Sequence, residues 1–189
     1  GRSMNLLKLF TATALIFGFV STGTAADYVI DKPGQHAYIT FKASHLGFSY
    51  IIGHFEDFEG KFTHDAADPS NSSASITIQT NSLDSDHAER DKHLKGADYF
   101  DAAKYPEITF VSTGYTGGEE AGKLAGNVTI HGITKAVELD VNHIGEGKDP
   151  WGGYRSGFEG TVMLAAGDFG LPAWIGDVEV VVIVEGVRQ

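Results

Sequence analysis

The stretch Asp84–Leu94, DSDHAERDKHL, concentrates side chains that can do acid–base or metal chemistry. It holds two histidines, four carboxylates, one arginine and one lysine within eleven residues. Three explanations are open: a catalytic acid–base cluster, a metal site, or a helix whose charged side chains face water. The spacing of these residues bears on all three.

Zinc chemistry of the His-Glu-x-x-His type needs two histidines four residues apart on one helix face. His87 and His93 are six residues apart and therefore point to different sides of a helix. A histidine-paired serine would need a strained turn of the type Gly-x-Ser-x-Gly, which does not occur in the chain. We therefore expect no enzyme and no metal site. The less favoured alternative is a hydrolase or isomerase that uses His87, Glu89, Asp91 and His93.

The same stretch predicts a helix over Asp86–Lys95. Asp86 followed by Glu89 resembles a capping box, and Gly96 supplies a stop. Opposite charges recur four residues apart and predict a solvent-exposed helix with ion pairs along its surface. The pairs are Asp86–Arg90, Glu89–His93 and Asp91–Lys95.

Most of the remaining chain alternates between apolar and polar residues, as half-buried strands do. The pairs Ile39/Phe41, Ile76/Ile78 and Ile108/Phe110 each share one face of such a run. His131-Gly132 separates two alternating runs and predicts a hairpin. The pattern predicts one antiparallel all-β domain, either a sandwich or a barrel.

Glycines inside the predicted strands favour the barrel. Gly60, Gly126 and Gly160 interrupt alternating runs, as expected where strands coil sharply at a barrel corner. A barrel of about eight strands encloses just enough volume for one small ligand.

The N-terminal residues predict export. Gly1–Ser3 precede Met4 and are interpreted as a cloning remnant, and Lys8, the apolar run Leu9–Val20 and the following small residues are typical of a Sec signal peptide. Cleavage after Ala25 or Ala26 would separate residues 1–25 from a domain over residues 26–189. The expected location is the periplasm of a Gram-negative bacterium.

Charge and cysteine content exclude several partners. Removing Arg2 and Lys8 with the signal peptide takes the formal net charge from −11 to −13. A chain this acidic is repelled by nucleic acid and by anionic membranes, so we expect no nucleic acid partner and no stable membrane insertion. With no cysteine, disulfides and thiolate metal sites are excluded.

Several segments resemble the YceI family, most closely its proteobacterial periplasmic branch. His87–Phe110 carries an Arg-Asp-x-His-Leu helix, an aromatic-Phe step and a Tyr-Pro pair before a strand. Similar segments are Ala26–Ser49, Gly126–Val137, Asp149–Gly160 and the last strand. The family's Asp-Phe-Gly step is present in Ala166–Gly176, but the loop after it differs and carries Trp174.

The resemblance implies an extended, lipocalin-like, eight-stranded antiparallel barrel with a short helix after the middle strands. It also implies a long isoprenoid in the lumen, of the ubiquinone-8 or polyprenyl phosphate type, for storage or transport without a cofactor. A homodimer is compatible with it. The alternative is a stress-response interaction protein with no bound ligand.

Strand parity and the many aromatic residues predict the lumen wall. The predicted lumen residues are Ile39, Phe41, Phe48, Phe55, Phe58, Ile76, Ile78, Phe100, Ile108, Phe110, Phe158, Phe169 and Trp174. Ser44, His45 and Arg90 are the candidates for contacts to a lipid head group.

Overall fold

The computed structural model describes residues 25–189, and these form eleven strands and one α-helix. The strands are β1 (Ala26–Ile30), β2 (Ala37–His45), β3 (Ser49–Phe55), β4 (Phe58–His64), β5 (Ser73–Gln79), β6 (Leu83–Asp84), β7 (Glu107–Gly117), β8 (Ala121–Ile130), β9 (Ile133–Lys148), β10 (Tyr154–Ala165) and β11 (Asp177–Arg188). The helix α1 (Ala88–Lys95) lies between β6 and β7. The predicted signal peptide, residues 1–25, lies outside the described residues apart from its last one.

Eight strands close into an antiparallel barrel. Their order is β1, β4, β5, β7, β8, β9, β10, β11, and β11 pairs back onto β1. Each of these strands has a partner on both sides, so the ring has none of the free edges of an open sheet. The predicted eight-stranded barrel is confirmed, and the sandwich alternative is excluded.

One end of the barrel is extended by β2, β3 and β6. The last residues of β11 pair with β1, whereas Val178–Val184 of β11 pair with β2. β3 pairs with β2, and β6 pairs with β3. Because α1 follows β6 directly, this extension brings the helix to the same end of the barrel.

The hairpin predicted around Gly132 joins β8 to β9. Ile130 pairs with Ile133, and the two residues between them have positive φ angles, 53° at His131 and 73° at Gly132. Positive φ at both central residues is the geometry of a type I′ turn, whose twist matches that of the flanking strands.

Two of the glycines inside strands make room for interior side chains. A Cβ at Gly126 would meet the Phe110 ring at 2.5 Å, and one at Gly60 would meet the Ser75 carbonyl oxygen at 2.6 Å and Ile30 Cδ1 at 2.8 Å. Gly160 is less crowded, with its nearest neighbour at 3.2 Å. At Gly126 and Gly60, close packing therefore leaves no room for a side chain.

An ion cluster ties the β1–β2 loop to the end of the barrel. Arg155 Nη1 donates to Asp31 Oδ2 at 2.6 Å and to Glu185 Oε2 at 3.0 Å, and its Nε donates to Asp149 Oδ2 at 2.9 Å. His36 Nδ1 lies 3.0 Å from Asp31 Oδ2. The hydrogen bonds from His36 and Arg155 lower the pKa of Asp31 to about 2.

Candidate ligand-binding site

The barrel encloses a cavity of about 620 Å³. Its wall is built almost entirely from apolar side chains that the strands direct inward, and residues of α1 line one end of it. A volume of this size falls within the range of small-molecule pockets, about 300–1,000 Å³.

Most of the predicted lumen residues lie on this wall, because alternation sends every second side chain inward. The predicted residues on the wall are Ile39, Phe41, Phe55, Ile76, Ile78, Phe100, Ile108, Phe110, Phe158, Phe169 and Trp174, together with the head-group candidates Ser44 and Arg90.

Phe48, Phe58 and His45 do not line the cavity, in contrast to the prediction. Phe48 lies in the β2–β3 turn, points into solvent and is 84% exposed. His45 is exposed beside the same turn. Phe58 is buried in the solid part of the core, with Lys32 Nζ 4.6 Å from its ring centroid. The alternation of apolar and polar residues does not show where along a strand the cavity lining ends and a turn or packed core begins.

The prediction omits several wall residues. The alternating valines of β11 and the inward residues of β8, β9 and β10 also face the cavity, and the period-two pattern could have identified them. They are Val178, Val180, Val182, Val184, Leu124, Val128, Ile130, Val137, Leu139, Val141, Val162 and Leu164. Polar wall residues outside the prediction include His64, Tyr115 and Glu119.

The helix α1 begins two residues later than predicted and is capped differently. Its N-cap is His87, whose Nδ1 accepts a hydrogen bond from the Arg90 backbone N–H at 3.1 Å. Asp86 lies before the helix with a φ of 61° and cannot act as the capping residue of the predicted box. The helix ends at Lys95 before Gly96, as predicted. No helix within residues 25–189 is long and apolar enough to span a membrane.

Two charged residues of α1, Arg90 and Asp91, are hydrogen-bonded to Ser85 in the preceding loop. Ser85 is 2% exposed; it donates from Oγ to Asp91 Oδ1 at 2.5 Å and accepts from Arg90 Nε at 2.7 Å. Arg90 Nη2 also donates to the Ser85 carbonyl. The three predicted i,i+4 ion pairs are absent from the salt bridges of residues 25–189. The prediction of a helix stabilised by its own ion pairs was therefore wrong.

One side of α1 lines one end of the cavity, and this end is here called the mouth. Its wall residues from α1 and the residue before it are His87, Glu89, Arg90, His93 and Leu94. Across the mouth, Trp174 packs edge-to-face against Tyr99 with ring centroids 6.5 Å apart and stays 68% exposed. The mouth therefore combines charged groups with aromatic ones, as suits a ligand with a polar end.

The opposite end of the cavity holds a pair of histidines. His64 on β4 and His143 on β9 have ring centroids 4.9 Å apart, and His143 stacks on Phe158 at 4.5 Å. His64 is 6% exposed, and burial lowers its pKa, with the neighbouring His143 acting in the same direction. Its Nε2 has no hydrogen-bond partner within residues 25–189.

Comparison with known sequences finds relatives along nearly the whole chain. A protein of Azotobacter vinelandii named UPF0312 protein is 48% identical over 191 residues, which cover 97% of this chain and 100% of the relative. A UPF0312 protein of Ectopseudomonas mendocina is also 48% identical and covers 97% of both chains.

Comparison with solved structures finds the same fold. BcnA of Burkholderia cenocepacia superposes with a TM-score of 0.73 at 22% identity, over 82% of this chain and 98% of that one. The YCEI protein of Campylobacter jejuni superposes with a TM-score of 0.71 at 29% identity, over 77% and 90%. A polyisoprenoid binding domain of Saccharophagus degradans reaches 0.62 at 14% identity, over 88% and 100%, a likeness that concerns the fold.

The family model described as the YceI-like domain matches residues 28–186. This range runs from within β1 to near the end of β11, and so covers all or most of every strand that surrounds the cavity. The chain therefore belongs to the YceI family.

Proposed function

We propose that this protein holds the apolar chain of a long isoprenoid lipid in the barrel lumen and acts as its carrier or reservoir in the periplasm. The observation that carries the proposal is the apolar cavity of about 620 Å³, with a mouth that bears charged and aromatic groups. The ligand class is that of ubiquinone or of a polyprenyl phosphate, with its tail inside and its head at the mouth.

The cavity is better suited to a hydrocarbon chain than to water. At about 30 Å³ per molecule, the volume corresponds to roughly 20 waters, each of which needs two to four polar partners. The apolar wall offers far fewer partners than that. An apolar chain makes dispersion contacts with the wall and brings no polar group of its own that would need a partner.

Membership of the YceI family supports a barrel that binds lipid. The Saccharophagus degradans domain is described as polyisoprenoid binding, and its fold likeness agrees with an isoprenoid as the ligand class here. Because identity to that domain is 14%, the choice of ligand depends on the cavity of this chain and on its family.

The energetics favour a carrier that exchanges its lipid. A prenyl tail gains little hydrophobic free energy on moving from a bilayer into the lumen, because both environments are free of water. Net capture must come from packing against the wall and from contacts to the head group. Ser44 and Arg90 lie on the cavity wall and are the proposed head-group contacts, joined by His87 and His93 at the mouth.

Binding explains the α1 residues better than catalysis does. The His87 Nδ1 and the Asp91 carboxylate, which a hydrolase or isomerase would use, are engaged in capping the helix and in holding Ser85. We therefore propose a binding protein rather than an enzyme.

Native mass spectrometry tests the proposal. Protein purified without detergent should carry an added mass of one isoprenoid, and organic extraction should remove it and release a lipid that tandem mass spectrometry identifies. Extracted protein should reload from liposomes that contain ubiquinone or polyprenyl phosphate. A protein that neither carries nor takes up an isoprenoid would support the ligand-free interaction protein instead.

A further inference from the structure

A second site lies at the end of the cavity opposite the mouth, where side chains from distant parts of the chain meet. His64, His143 and Glu146 each offer one ligand atom, and these atoms lie within 4.8 Å of one another. In the barrel order, β4 and β9 are four strands apart in either direction. His64 and His143 therefore meet across the lumen from opposite walls.

The nitrogen of His64 needs an explanation, because a buried polar atom without a partner is costly. His64 is 6% exposed, and its Nε2 has no hydrogen-bond partner among the described residues. Packing against the rings of Phe158 and His143 accounts for its imidazole faces but leaves this nitrogen unsatisfied. A bound cation would satisfy it.

The second histidine is oriented in the way that metal ligands commonly are. His143 Nε2 lies 3.0 Å from the Oγ of Ser156, a residue that is 1% exposed. When Nε2 donates to this oxygen, Nδ1 presents its lone pair, and a hydrogen bond of this kind fixes the tautomer and ring direction of a ligating histidine.

The charges around the histidines favour a cation over an anion. The carboxylates of Glu146, Glu119 and Asp65 lie close enough to act electrostatically on His64. A phosphate would need arginine or lysine side chains, and neither type occurs among these charged neighbours of His64.

We propose that His64, His143 and Glu146 bind a divalent transition-metal ion, with zinc as the best match. Two imidazoles and one carboxylate are a common ligand set for zinc, at distances of about 2.0–2.2 Å. Ligand atoms of a tetrahedral ion with these bond lengths are about 3.3–3.6 Å apart, so binding draws the three side chains inward by at most about 1.5 Å. Three protein ligands leave one coordination position for water or another oxygen.

Two further groups of three candidate ligands occur in the described residues: Asp31, His36 and Glu185, and His54, Glu56 and Asp84. In the first group, the guanidinium of Arg155 already supplies the positive charge at distances of 2.6 and 3.0 Å. The second group has no buried side chain. Among these three groups of the described residues, the one with His64 and His143 has a buried nitrogen without a partner and no cation among the charged groups that act on it.

The sequence could not show this site. The expectation that no metal binds rests on the spacing of His87 and His93 within one helix. Here His64 lies far along the chain from His143 and Glu146, and barrel closure brings it to them.

Isothermal titration of zinc chloride into protein freed of metal by a chelator tests the proposal. We expect one ion per chain with a Kd of about 1 μM or tighter, the affinity range that corresponds to about 8 kcal/mol. Cobalt(II) should bind with the visible absorption of a four- or five-coordinate nitrogen and oxygen site.

Variants locate the ion. Glu146→Gln, at an exposed position where folding is not at risk, should weaken zinc binding by about tenfold or more, and His64→Asn by about a hundredfold. His45→Ala is the matched control, because His45 is exposed and lies outside the cavity. The zinc affinity of this variant should equal that of the parent protein. Circular dichroism verifies that each variant is folded.

Absence of stoichiometric binding in the parent protein would overturn the proposal, and so would binding that Glu146→Gln and His64→Asn both leave unchanged. If His64→Asn does not fold, Glu146→Gln and the cobalt spectrum decide. None of these measurements needs a lipid, so a negative result here leaves the proposed lipid binding to its own test.

Discussion

Replacing Phe110 by Asp tests whether the cavity is the lipid site. Phe110 lies on β7 with its side chain on the cavity wall, paired with Ile76 of β5 and Val128 of β8. The change removes a ring that would contact the lipid tail and puts a carboxylate into an apolar wall.

The expected loss of lipid affinity in Phe110→Asp is large enough to be measured. Burial of a phenylalanine side chain is worth about 1.5–3 kcal/mol. An unpaired charge in a dry site costs several kcal/mol more unless it protonates or becomes hydrated. Even a net loss of about 2 kcal/mol corresponds to roughly a thirtyfold weaker affinity, since about 1.4 kcal/mol is tenfold.

The barrel should survive the change. Phe110 is only partly buried and faces a cavity, so water entering through the mouth can hydrate the new carboxylate. We expect Phe110→Asp to lose more than 90% of its co-purifying lipid, measured by extraction and mass spectrometry per mole of protein. Its far-UV circular dichroism should stay native-like.

Phe48→Asp is the matched control, because the same exchange is made at a side chain that is 84% exposed and outside the cavity. It should keep its lipid. Unchanged lipid content in Phe110→Asp would refute the assignment of the lumen as the binding site. Loss of fold together with lipid would mean that Phe110 belongs to a packed core, contrary to the cavity described above.

Three further predictions concern export, helix anchoring and acid stability. Produced from its own start in a Gram-negative host, the protein should appear in the osmotic-shock fraction with its N-terminus at Ala26 or Asp27; intact cytosolic protein would contradict the signal peptide. Ser85→Ala leaves the partly buried partners of a helix-anchoring hydroxyl unsatisfied and should lower the free energy of unfolding by about 1–3 kcal/mol in urea titrations, whereas an unchanged midpoint would show that α1 is held by other contacts. Because the folded-state pKa of Asp31 is lowered from 3.8 to about 2, its contribution to stability is fully present above about pH 4 and is lost as the pH falls toward 2. Asp31→Asn should therefore flatten the fall of melting temperature between pH 4 and 2, and an equally steep fall would contradict this role.

The sequence alone predicts the features that depend on neighbours along the chain. Alternation within a strand decides which side chains share a face, and so Ile76 with Ile78, and Ile108 with Phe110, were correctly paired and lie on one wall. The β8–β9 turn was predictable for the same reason, since His131-Gly132 is a local conformational signal. The family resemblance added the strand number, which alternation does not specify.

Only the tertiary structure decides what happens between distant segments. α1 starts at Ala88 rather than Asp86, and the buried Ser85 before it holds both Arg90 and Asp91. The sequence pattern alone does not show that the contacts of Ser85 are formed instead of the predicted capping box. For the same reason, parity could not show that the lumen ends before Phe48 is reached.

Barrel closure has the largest effect of this kind. His64 and His143 belong to alternating runs that look ordinary in the sequence, and neither run indicates which strand lies opposite it. Strand order places β4 and β9 across from each other, and their inward side chains then meet at 4.9 Å between ring centroids. The inward direction of each histidine follows from its own strand, whereas their meeting follows from the closed ring, because the partner of a strand is chosen by the packing of the whole sheet.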